Sequence, residues 1–105
     1  MSLIKFKSSV LVPRTVIIAA AAVNAANVLG FTETMFVTSG NDSIHSRGSK
    51  HYTDEALDFR THHLSTAKKH AWKVEIKRRL GKSFDVILED EGQPNEHLHV
   101  EWDQK

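Results

Sequence analysis

The run His97-Leu98-His99-Val100-Glu101-Trp102 constrains this chain most, because polar and apolar residues alternate through all of it. Strand side chains point alternately to two faces, so the run reads as a half-buried strand with His97 and His99 on one face. Such a strand needs neighbours. Ala56-Leu57-Asp58-Phe59-Arg60 alternates in the same way, and Phe84-Asp85-Val86-Ile87-Leu88 gives a third strand. Met35-Phe36-Val37-Thr38 is a short β-prone run, closed by the turn signal Ser39-Gly40-Asn41-Asp42. Residues 41–54 read as polar loop, and Glu89-Asp90-Glu91-Gly92-Gln93-Pro94 as a turn.

Two segments carry helical signals. Residues 63–80 place apolar rows at Leu64, Ala67, Ala71, Val74 and at Trp72, Ile76, Leu80, and Gly81 ends them. The Ala-rich stretch of about 14–29 lies between Pro13, suited to a first helical position, and Gly30, suited to a C-terminal cap. Lys5, Lys7 and Arg14 ahead of apolar sequence also give the outline of a secretory signal peptide. Pro13 and Arg14 sit awkwardly against that outline, which favours a core helix. The expectation is one α+β domain over 1–105, a small antiparallel sheet with flanking helices.

Composition removes several function classes. The 105 residues include 14 Lys+Arg and 13 Asp+Glu, a formal charge of +1, which argues against a globally electrostatic nucleic-acid or membrane binder. No apolar run reaches the roughly 18 residues that a membrane span needs. Without Cys there is no disulfide framework, thiol nucleophile or Cys-ligated zinc, so any metal falls to His and carboxylate. Charge is uneven locally: eight Lys/Arg and one acid from Arg60 to Lys82, then seven acids and no Lys/Arg from Asp85 to Asp103. A solvated basic helix beside an acidic edge accounts for this. A nucleic-acid face built on Lys68, Lys69, Lys73, Lys77, Arg78 and Arg79 has the near-neutral total against it.

Seven histidines stand out, and three fall into two clusters. The first cluster is Ser49-Lys50-His51-Tyr52-Thr53-Asp54-Glu55-Ala56-Leu57-Asp58; the second is Glu96-His97-Leu98-His99. A catalytic zinc site needs about three protein ligands plus a water. His51 at a loop end, Asp58 on the next strand and one His of the last strand can supply a two-His, one-carboxylate set. Glu96, at the start of that strand, has the place of a general base that touches the water without binding the metal. His45, His62, His63 and His70 read as ordinary surface or local structural residues.

These residues resemble the zinc D-Ala-D-Ala carboxypeptidases, D-Ala-D-Ala dipeptidases and L-alanyl-D-glutamate endopeptidases. That group includes phage endolysins and shares its fold with the hedgehog signalling domain. Ser49, His51, Ala56 and Asp58 match the first part of the family pattern S-x-H-x-x-G-x-A-x-D. Glu96 and His99 match an acid three residues before a last His, and Val37-Thr38-Ser39-Gly40 resembles the segment ahead of the first ligand. The resemblance implies His51, Asp58 and His99 as ligands of one Zn2+ and Glu96 as catalytic acid/base. It implies His97, Arg47 and Ser49 as oxyanion, substrate or supporting contacts. Asp54 stands where the family has Gly, and Asn41-Asp42 stands where it has Tyr-Arg, which loosens the match at Arg47. The implied function is hydrolysis of a peptidoglycan stem peptide, at L-Ala–D-Glu or D-Ala–D-Ala. The implied setting is a phage lysis protein held in the bacterial cytoplasm before release, with no separate cell-wall-binding module. A zinc-binding structural or interaction domain of the same fold is the alternative.

Overall fold

Helix ends and strand alternation carry through into the computed structural model, which describes residues 2–6, 13–39 and 56–103. The elements are β1 Ile4–Phe6, α1 Pro13–Val28, β2 Met35–Ser39, β3 Ala56–Arg60, α2 Thr66–Leu80, β4 Phe84–Glu89 and β5 His97–Trp102. The strands form one sheet in the order β1-β2-β3-β5-β4. The sheet is mixed, a correction to the antiparallel expectation. β2, β3, β5 and β4 pair antiparallel, but β1 lies parallel to β2. A parallel neighbour requires a crossover connection, and α1 lies in that connection. At three residues, β1 is too short to show a period in the sequence.

Each helix stops for a local reason. Pro13 opens α1, where its missing N–H costs no hydrogen bond. At the other end Gly30 adopts φ 79°. There Gly30 N–H reaches the Asn27 carbonyl at 3.1 Å and Phe31 N–H reaches Ala26 at 2.9 Å, the two bonds of a Schellman cap. Helix α2 begins three residues later than the apolar rows suggest, because Ser65 caps it by accepting from Lys68 N–H at 3.2 Å. Gly81, φ 82°, closes it.

Both helices cover one face of the sheet. Ile18, Ala22, Ala25 and Ala26 of α1 pack with Trp72 and Ile76 of α2 over Met35, Val37, Leu57, Phe59, Val86, Leu98 and Val100. The alanines let α1 lie close to α2, and Trp72 uses that closeness. Its indole N–H donates to the Ala22 carbonyl at 2.8 Å, and its ring meets Phe59 edge-on at 5.4 Å. Arg14, awkward in a signal-peptide reading, lays its guanidinium 3.4 Å over the Trp102 ring and ties the start of α1 to the end of β5.

The period of two then decides what the other face carries. With Leu57, Phe59, Leu98, Val100 and Val86 turned to the helices, Asp58, Arg60, His97, His99, Glu101, Asp85, Ile87 and Glu89 turn away. Register aligns them in rows: Asp58, His99 and Ile87 in one, Arg60, His97 and Glu89 in the next. Among the described residues, no helix is long and apolar enough to cross a membrane.

Candidate functional site

Directly paired residues of antiparallel strands bring their side chains into contact, and the Asp58–His99 pair is such a case. His99 Nδ1 lies 2.7 Å from Asp58 Oδ1, and its Nε2 lies 2.6 Å from Glu101 Oε1. The Asp58 and His99 side chains are 13% and 12% exposed. Burial alone pushes the imidazole pKa down, but the two flanking carboxylates outweigh it and raise it to about 9. His99 is therefore an imidazolium here, with each ring N–H donated to a carboxylate.

A third strand adds a third carboxylate. Glu89, at the end of β4, places Oε1 3.1 Å from His97 Nε2 and 3.9 Å from His99 Nδ1. His97 donates its Nδ1–H to the Asn95 carbonyl at 2.9 Å, which turns Nε2 toward Glu89 and, at 3.9 Å, Asp58. Beside this group lies a cleft of about 350 Å³, whose lining includes Thr38, Asp58, Arg60, His62, Asn95 and His97. The register between β2 and β3 shifts next to Asp58, where Ser39 becomes its partner. Such bulges re-aim side chains beside functional sites.

The structure thus brings Asp58 and His99 together, as the sequence pattern implied. His51, Arg47 and Ser49 lie outside the described residues, as does His45. Among the described residues, no group of three His, Cys, Asp or Glu is arranged to hold a metal ion. The donor chemistry that is present suits zinc: an imidazole nitrogen and a carboxylate oxygen side by side. Glu101 on the far ring nitrogen holds the His99 ring, the kind of outer contact that a metal-bound His would need. A cation taken up by these two atoms must displace the proton they now share.

Glu96, which the resemblance implies as acid/base, is held by several donors. It is 4% exposed, lines the same cleft as Asp58 and His97, and is bound there by Lys69 of α2. Lys69 Nζ donates to both its oxygens at 2.9 and 2.7 Å, Gly92 N–H donates at 3.0 Å, and the Thr61 hydroxyl donates as well. Burial pushes its pKa up, yet these donors together hold it down at about 2. A carboxylate held so firmly by donors is a poor proton acceptor at neutral pH. It ties the β4–β5 turn to α2 instead.

Three residues of the site face escaped the sequence reading: Glu89, Glu101 and Arg60. Glu101 and Arg60 were within reach of it, since each lies two residues beyond a candidate ligand on the same strand. Glu89 was not, because only the β4–β5 register sets it opposite His97. The remaining described histidines hold turns: His62 contacts the Pro94 carbonyl, His63 the Thr34 carbonyl and His70 the Glu91 carboxylate. No protein-family model matches the chain, and no curated protein matches it.

Proposed function

We propose that the protein is a zinc-dependent peptidase that hydrolyses peptidoglycan stem peptides at L-Ala–D-Glu or D-Ala–D-Ala. One observation supports this above all. Asp58 and His99, 41 residues apart in sequence and implied as ligands by the family resemblance, stand 2.7 Å apart on the sheet face turned away from the helices. In this reading Asp58, His99 and His51 hold the ion. When bound, zinc supplies an acidified water and polarises a carbonyl oxygen.

The chain's own residues do the rest. Glu101 fixes the His99 ring through Nε2. In this reading Glu89, 44% exposed at its side chain and on the same face, accepts a proton at Oε1 and returns it to the leaving amine. His97, held by Asn95 and Glu89, offers a polar contact to substrate at the cleft. Glu96 keeps the turn between β4 and β5 in place. A phage-type lysis role, with the protein retained in the bacterial cytoplasm until release, fits this activity.

The competing reading is a zinc-binding domain without turnover, and the committed Glu96 carboxylate favours it. The two separate in one experiment. Purified protein is assayed for zinc by elemental analysis and for release of new amino groups from peptidoglycan, with mass spectrometry of the fragments to identify the bond. Asp58→Ala should lose zinc. Zinc without hydrolysis selects the non-catalytic reading, and a folded wild type that takes up no zinc refutes both.

A further inference from the structure

We propose that Arg60 anchors a substrate carboxylate, the one borne by the residue whose amine leaves in the cleavage just described. The inference rests on that peptidase reading. Arg60 ends β3, two residues beyond Asp58 on the same sheet face and directly opposite His97. It is exposed and lines the cleft together with Asp58 and His97. It is the one Arg or Lys among the described residues of that lining. Its guanidinium lies 5.8 Å over the Phe36 ring and makes no ion pair among the described residues, although Asp58, Asp85, Glu89 and Glu101 share its face. The neighbouring cation Lys69, by contrast, is wholly engaged by Glu96.

An acidic face next to a guanidinium that has no ion pair among the described residues suits a ligand with a carboxylate at one defined point. Both candidate bonds supply it. In D-Ala–D-Ala the leaving residue carries the chain's terminal carboxylate. In L-Ala–D-Glu the D-Glu continues the stem through its γ-carboxyl, so its α-carboxylate is free. In each case the carboxylate carbon lies three bonds from the scissile carbonyl carbon, through the amide nitrogen and Cα. Two residue steps, about 7 Å, separate Asp58 and Arg60 along β3. That is a distance across which a long, flexible Arg side chain can meet a group so close to the scissile bond. A guanidinium takes a carboxylate through two parallel N–H···O bonds, which fixes orientation as well as position.

The test uses zinc-loaded full-length protein and matched substrates. One pair is a stem pentapeptide ending in D-Ala-D-Ala and its C-terminal amide. The other is an L-Ala-γ-D-Glu peptide and its α-amide. Wild type should cleave the acid with a kcat/KM about tenfold to a hundredfold above the amide in the pair containing the true bond. Arg60→Gln should cleave acid and amide alike, and Arg60→Lys should fall between, both with unchanged zinc content and thermal midpoint. Isothermal titration of zinc-free protein with acetyl-D-alanine and acetyl-D-alanine amide gives a second readout: preference for the acid in wild type, lost in Arg60→Gln. Cleavage that ignores the carboxylate, or a preference that survives Arg60→Gln, overturns the inference and leaves the peptidase reading standing. A wild type that cleaves neither bond overturns both.

Discussion

Replacing Glu96 by Gln probes whether this carboxylate braces the fold or does chemistry. Its side chain is 2% exposed and is met by Lys69, Thr61 and the Gly92 N–H. Folding moves its pKa from an ordinary 4.5 to about 2. At about 1.4 kcal/mol per tenfold change in proton affinity, the charged form stabilises the fold by about 3 kcal/mol at neutral pH. Because the folded value is the lower one, that stability is complete above about pH 4.5 and is lost as pH falls toward 2. Glu96→Gln keeps the shape and removes the charge, leaving Lys69 facing a neutral amide. At pH 7 the variant should be less stable by up to about 3 kcal/mol, a drop in thermal midpoint of up to about 10–20 °C for a chain of this size. Urea unfolding of wild type and variant at several pH values gives the gap directly. The gap should close between pH 4.5 and 2. A variant as stable as wild type at pH 7, or a gap that ignores pH, refutes the buried ion pair as the role of Glu96.

The other predictions address the site and the core. Glu89→Gln should retain zinc and thermal midpoint and lose about 100-fold or more of the turnover measured as amino-group release; near-normal turnover would remove Glu89 from the proton path. Trp72→Phe should cost about 1–3 kcal/mol in urea unfolding through the lost bond to the Ala22 carbonyl and the smaller ring, and no measurable cost would place the indole elsewhere.

The parts legible in the sequence were those where burial on one face imposes a period. β3 and β5 come out residue for residue, because Leu57 and Phe59, or Leu98 and Val100, must face the helices while their neighbours cannot. The same parity put Asp58, His97 and His99 on a common face. Parity fails just outside a strand. Glu96 precedes β5, and its placement is decided by Lys69, 27 residues away, and by the turn at Gly92. β1 was missed because pairing with β2, rather than any pattern of its own, makes it a strand. The late start of α2 followed from one hydroxyl, since Ser65 competes for the backbone that the apolar rows would have continued.

In β5 the site residues alternate with core residues: His97 before Leu98, His99 between Leu98 and Val100. The imidazoles consequently cannot loosen one at a time. Any fluctuation that frees their backbone must also pull Leu98 or Val100 out of the packed layer and break pairing with both β3 and β4. Local opening and global unfolding become nearly the same event at this strand. The donors on it are thus preorganised at no cost separate from that of folding, and variation in what the face accepts is left to the turns around it.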